Sequence, residues 1–332
     1  MSFNSTIVTS ALTKYTDQLS MALIRESVLA GRTQQYISVQ TGVKYADALN
    51  IMTSNLVVQD AACGQLTATG SVTLTQNSLQ VCPLMVEEQI CLNGSGSLEQ
   101  YWAGKLMKAG SYYDTLEPTA FAKVYVADKV DKIQGLIDDL TWVGKVSGAS
   151  YSTDPNMLKC DGFLKLIDTD FTASVVKVGG SGNPGGFGTF SGALTVGNAI
   201  SVVDAMASAL PQNVWDQPDL TLFLSYANYR TYVRALRNAN YFHFTADESN
   251  DIGYSIMHPG TNIRVLATRG LSSTNRMVLS PAANLFFGTD LQNDYESFRI
   301  WKSEDFNSIF FRALWKQGVQ IAYPQYVVTY LG

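Results

Sequence analysis

Between Pro118 and Val143 the apolar residues Val126, Val130, Ile133, Ile137 and Leu140 recur at spacings of four and three. That period puts side chains on one side of an α-helix. Lys123, Asp128, Lys132, Asp138 and Asp139 take the other side, which the pattern assigns to water or a polar partner. Pro118 suits the first turn, where its missing N–H costs nothing, and Glu117 stands beside the positive end of the helix dipole. Gly144 and Lys145 supply a C-terminal stop. At ~1.5 Å per residue the helix is roughly 40 Å long. Gly135 inside it costs about 1 kcal/mol against alanine. The pattern is too short for a coiled coil, so the segment is predicted as a core helix.

The flanking patterns differ. Thr9 to Ala30 is helix-prone, with Leu12, Tyr15, Leu19, Ala22 and Leu23 as its apolar stripe. From Tyr45 to Leu92, β-branched and apolar residues alternate with Thr, Gln, Ser and Asn, which predicts strands. Residues 70–81, GSVTLTQNSLQV, read as two strands joined by a turn at Gln76-Asn77-Ser78. A hairpin this long has little to bury against on its own and is expected to lie on a partner. A short helix is predicted at Leu98–Lys108, and a turn with a strand or short helix at 151–170.

Residues 172–178 predict a strand that leads into the glycine-rich loop GGSGNPGGFGTFSG. Beyond it, helices (Val196–Ala209, Ala227–Arg237) alternate with strands (Leu220–Ser225, from Ile263, Met277–Leu279, Leu285–Gly288), an α/β layer. The chain closes in three aromatic-rich runs, SFRIWK, SIFFRALWK and VQIAYPQYVVTY, with Gly318 separating the last two. They are predicted as an antiparallel meander on the long helix. The fold class is therefore α+β.

Composition narrows the function classes. Of the 332 residues, 46% are hydrophobic, enough for a sizeable core, but only 15% are charged, against ~25% in typical soluble proteins. With 17 Tyr, 15 Phe and 5 Trp, so neutral a chain points to surface hidden against other subunits. The net charge of −5 argues against nucleic acid as the main ligand. No run of 18 apolar residues occurs, and Met1–Ala30 lacks a signal-peptide pattern, so folding in a cytoplasm is expected. Cys63, Cys82, Cys91 and Cys160 form no CxxC pair and read as buried free thiols rather than a zinc site.

The order of arm, hairpin, long helix, α/β region and closing strands resembles the major capsid proteins of tailed bacteriophages, the family with the Hong Kong 97 fold. The most family-like text is SFRIWKSEDFNSIFFRALWKQGVQIAYPQYVVTY (297–330), and VCPLMVEEQICL with LEQYW (81–102) is also similar. The resemblance implies an N-terminal arm at 1–40 and an extended β-hairpin loop at 41–98. It implies a peripheral domain at 99–171 and 293–332 with its spine helix at 118–143, and an axial domain at 172–292. It further implies pentamers and hexamers closing into an icosahedral shell around double-stranded DNA. The chain's partners would be itself, a portal, and a separate scaffold or decoration protein. DNA would be met only non-specifically, and no membrane is involved. The location implied is the virion, assembled in the host cytoplasm. A bacterial nanocompartment shell shares the fold. A lysine crosslink in the loop is not expected, because no Lys or Arg occurs between Tyr45 and Gly104. The acidic hairpin, with Asp60, Glu87 and Glu88, is expected to seek a basic surface on a neighbour, to which Lys123, Lys129 and Lys132 contribute.

Other candidate chemistry is sparse. Gly180, Gly182 and Gly185 spell G-x-G-x-x-G after a strand, with Asp204 where a ribose-binding acid would fall, the reading of a nucleotide-binding α/β enzyme. Pro184 interrupts the loop, and no helix N-terminus follows to hold a phosphate. His243 and His258 fit no metal motif. Arg230, Arg234 and Arg237, interleaved with Tyr226, Tyr229 and Tyr232, imitate a nucleic-acid helix, but in an acidic chain they suit an inter-subunit surface. Asp138-Asp139 and Glu87-Glu88 are neighbours in sequence and so point apart. They read as solvated or interfacial rather than catalytic. No catalytic residue, cofactor or metal site is expected.

Overall fold

The computed structural model describes residues 31–59, 69–91, 118–148, 151–172, 177–179, 194–239, 254–290, 298–303 and 308–332. The predicted arm helix, the Leu98–Lys108 helix and the glycine-rich loop lie outside these residues. Helix α1 spans Pro118–Val143, as its apolar spacing predicts, and buries Val126, Val130, Ile133, Ile137 and Leu140. Its reverse side is only partly open to water. Asp128 and Lys132 are exposed, but Asp138 is 3% exposed. The chain at Thr33 and the 3-10 turn Arg269–Leu271 cover that end of the helix. A β-carbon at Gly135 would meet the Arg269 guanidinium, the movable end of a side chain that lies across the helix.

The first sheet is built on β12 (Ser308–Ile321). Its odd-numbered residues, among them Phe311, Ala313 and Trp315, turn inward to the core shared with α1. Antiparallel to it run β4 (Cys82–Cys91), β10 (Leu285–Thr289) and β11 (Phe298–Ser303), and β1 (Ser38–Thr41) pairs parallel with β10. Gly318 does not separate two strands; β12 runs straight through it.

Residues 70–81 also depart from expectation. They are not two strands but one, β3 (Ser71–Gln80), paired along its length with β2 (Ala46–Asn55). The expected turn residues have other partners. Gln76 donates to Asn50 across the hairpin (2.8 Å), and the Asn77 amide donates to the carbonyls of Ile321 (3.2 Å) and Ala322 (3.3 Å). Past Val81 the chain leaves the hairpin and becomes β4 on the first sheet.

The second sheet has the order β5-β13-β9-β6-β8-β7, where β5 is Lys177–Gly179, β6 Leu220–Ser225, β7 Ser255–Met257, β8 Arg264–Thr268, β9 Met277–Pro281 and β13 Val328–Tyr330. Its strands alternate between two cores, as a period of two requires. Leu222, Leu224, Val265, Ala267 and Leu279 face α3 (Ala199–Ala209) and α4 (Tyr226–Asn238). Phe223, Leu266 and Val278 face α1. The predicted α/β order holds for β6, α4, β8 and β9, but β10 joins the first sheet instead.

The run VQIAYPQYVVTY divides at Pro324, which has no N–H for a ladder and opens a 3-10 turn. Its last part, β13, crosses to the second sheet between β5 and β9. The segment at 151–170 becomes a 3-10 turn (Pro155–Leu158) and helix α2 (Phe163–Thr172). Trp142, fully buried, packs its ring between Phe163 (5.3 Å) and Phe223 (5.0 Å) and so joins the end of α1 to α2 and β6.

The expectation of free thiols is corrected at two positions. Cys82 at the start of β4 and Cys160 before α2 form a disulfide, with Cα atoms 5.9 Å apart. Their 78-residue separation gives no sequence signal, and β12 brings them together at Gln317. Cys91 is free as expected but exposed rather than buried, and Cys63 lies outside the described residues.

Candidate functional site

The hairpin β2–β3 presents two different faces. Near its base, Leu49 and Leu79 are buried with Val43 and Val81 against Phe286 of β10. On the opposite face Met52 lies directly across from Leu74, and Val72 across from Ser54. Met52, Val72 and Leu74 are 61–75% exposed, and Leu56 and Val58 beyond the end of β2 are almost fully so. These side chains form an apolar face that the described residues leave open to solvent.

The acidic pair expected on the hairpin stands instead on β4, at its junction with the helix. Glu88 forms an ion pair with Lys129 of α1, and Glu87 with Arg312 of β12 (3.2 Å). Lys129 is nearly buried, with its ammonium 5.2 Å from the Tyr125 ring centroid and 5.9 Å from that of Phe311. Burial, then the Glu88 and Asp128 charges, push the Tyr125 phenol well above its usual range. Glu87, Glu88 and Lys129 thus meet inside one chain. Lys132 pairs with Asp128 one turn away (2.9 Å), in the open. Asp60 lies outside the described residues, as does the side chain of Lys123.

Arg230 and Arg234 stand on α4, exposed. The helix starts at Ser225, whose hydroxyl accepts from the Asn228 N–H (3.2 Å), an N-cap. It buries Asn228, Tyr229, Tyr232, Ala235 and Leu236. Arg230, Arg234 and Arg237 fall at i, i+4 and i+7 on the reverse.

A polar chain that the sequence does not announce runs from the buried side of α4. The Tyr232 hydroxyl meets His258 Nδ1 (2.5 Å), and His258 Nε2 meets Asp204 Oδ1 (2.8 Å). Tyr232 and His258 are buried, and burial pushes the tyrosine phenol up. With its phenol and imidazole buried, the trio pins α4 and α3 to the β7–β8 turn. Asp204 also lines a cleft of about 690 Å³ with Trp215, Asp216, Thr261 and Asn262.

The adjacent carboxylates Asp138 and Asp139 part ways. Asp138 accepts from the backbone N–H groups of Thr33 (3.4 Å) and Gly270 (3.1 Å), and burial raises its pKa against those bonds. Asp139 is pushed up to about 6 by burial, opposed by Arg269 3.5 Å away. The expectation that this pair is solvated or interfacial is thus corrected: Asp138 is an internal tie. Among the described residues no cluster of three His, Cys, Asp or Glu side chains could hold a metal, and no helix is long and apolar enough to cross a membrane. The Gly180, Gly182 and Gly185 loop lies outside the described residues, as does His243.

No model of a known protein family matches the chain, and no curated protein matches its sequence. Among solved structures, a chain of the satellite phage P4 procapsid including the size determination (Sid) protein is similar at 14% identity and a TM-score of 0.56, with 94% of this chain and 90% of that one covered. A chain of the cyanophage A-1(L) capsid asymmetric unit is similar at 13% identity and a TM-score of 0.55, with 92% of each covered. At such identities the likeness carries the fold, and it does so along nearly the whole chain: helix, hairpin and both sheets make up a Hong Kong 97-like fold.

Proposed function

We propose that the protein is the major capsid protein of a tailed bacteriophage, building the icosahedral head from pentamers and hexamers of itself. The observation that carries this reading is the hairpin. A two-stranded ribbon held to the first sheet at its base, with Met52, Val72 and Leu74 exposed on one face, gains further stability when a neighbouring surface covers that face. The fold shared with phage capsid chains supports a shell as that neighbour. Head-to-tail contacts that close into rings let one sequence tile such a shell. The peripheral region would comprise α1 and the first sheet, and the axial region α3, α4 and most of the second sheet. A portal, a scaffold and packaged DNA belong to the same reading, as does residence in the virion after assembly in the host cytoplasm.

Negative-stain electron microscopy of the purified chain tests it. Closed shells, tubes or rings of five and six are expected. A monodisperse monomer that binds a nucleotide tightly, and loses it on Gly182→Ala, would replace the shell with the enzyme reading. Charge reversal at Asp60 and Glu88 asks whether these acids act across subunits. Normal shells from that variant would confine Glu88 to its internal pair with Lys129.

A further inference from the structure

The second sheet carries two surfaces of opposite charge that this chain cannot bring together itself. One is the outer side of α4, where Arg230, Arg234 and Arg237 are exposed and form no ion pair with a described carboxylate. Arg237 sits in the last turn, where the helix dipole favours it; Arg230 and Arg234 have no such reason to be cationic. The other is the cleft of Asp204, Trp215 and Asp216. Asp216 is exposed, and Asp204 is 60% exposed even while it holds His258 through one carboxylate oxygen. Trp215, which lines the same cleft, is 48% exposed, far above what its size would favour in isolation. Its ring is held rather than loose: the indole N–H donates to the Leu210 carbonyl (3.1 Å). The Asn262 amide donates to the carbonyls of Trp215 (2.9 Å) and Gln217 (2.6 Å), which fixes the turn that carries it. A half-open indole that shares a cleft with two carboxylates is a seat for guanidinium groups, by ion pairing and by cation–π contact.

We infer that the α4 arginines of one copy seat in the Asp204–Trp215–Asp216 cleft of the next. Direction favours a second copy over the chain's own cleft. At about 100° per residue, Tyr232 points roughly opposite to Arg230 and Arg234. Tyr232 is the residue that reaches His258 and, through it, Asp204. The arginines therefore face away from their own cleft, and stripe to cleft is a head-to-tail contact, the kind that closes rings. This rests on the shell reading and adds to it the side-chain chemistry of the ring contact.

The test uses the full chain with Cys63→Ala and Cys91→Ala, so that Cys82 and Cys160 are the only native cysteines left, carrying Arg234→Cys and Asp216→Cys, assembled and treated with a short bis-maleimide. A denaturing gel should show a ladder reaching five or six linked chains, and either single-cysteine chain should show only background. In a second variant, Arg230→Glu with Arg234→Glu should keep the melting temperature of the unassembled chain and lower the yield of rings or shells at least tenfold. Shells from the double-cysteine chain without a ladder, or undiminished shells from the double-glutamate chain, overturn this contact and leave the shell reading standing. An unmodified chain that forms neither rings nor shells overturns both.

Discussion

A β-carbon on Gly318 would fall inside the carbonyl oxygen of Gln80, 2.8 Å from its carbonyl carbon and 3.0 Å from the Cα of Val81. The backbone that leaves the hairpin therefore lies directly on β12, and only glycine leaves room for it. Backbone cannot swing aside as a long side chain can, so Gly318→Ala must displace β12 or the hairpin base. Overpacking of this kind costs about 1–3 kcal/mol. The melting temperature should fall by several degrees, whereas Gly197→Ala, with nothing within 4 Å, should change it little.

The Cys82–Cys160 bond ties the same crossover to the segment behind α1. A cross-link over 78 residues restricts the unfolded chain and should contribute about 2–4 kcal/mol. Dithiothreitol should lower the melting temperature of the wild-type chain and leave that of Cys82→Ala/Cys160→Ala unmoved. Equal melting of the wild-type chain with and without reductant would show that the bond adds no stability.

Asp139 gives a pH signature. Its carboxyl is raised to about 6, chiefly by burial, against ~3.9 in an unfolded chain. Between those values the folded protein holds a proton that the unfolded chain has released. This contribution to stability is fully present below about pH 4 and lost as pH rises through 6. It amounts to at most about 3 kcal/mol, reduced by the partial exposure of the group and its contact with Arg269. Asp139→Asn removes the dependence. Its melting temperature relative to wild type should rise from pH 4.5 to pH 7.5; a gap that stays constant would exclude a raised Asp139.

The parts legible in the sequence are those set by local periodicity. The helix at 118–143 and the strand at 220–225 stand where the pattern puts them, and α4 extends one residue past its predicted range at each end. Partner choice is different. A period of two says which residues of β10 or β13 face inward, but not which sheet receives them, because pairing is decided by distant segments. The polar signals misled for a related reason. Asn77 looked like a turn residue because its partners, the carbonyls of Ile321 and Ala322, lie some 244 positions away. The burial of Asp138 depends on two backbone N–H groups that leave no trace in composition. Of the candidate surfaces, the arginines of α4 were visible as an i, i+4, i+7 set, while the cleft around Trp215 exists only once β8 is beside β6.

The crossing of β13 from one sheet to the other also sets a timetable for synthesis. Strands β6, β8 and β9 leave the ribosome with one side of β9 unfilled, since β13 ends at residue 330 and β9 at residue 281. At about 5–20 residues per second, that gap stays open for roughly 2–10 seconds. A chain broken off in the interval lacks the strand that joins β9 to β5, and with it part of the core beneath α3. Fragments that end before β13 lack Val328 and Tyr330 from the second core and should therefore be less stable than the whole chain.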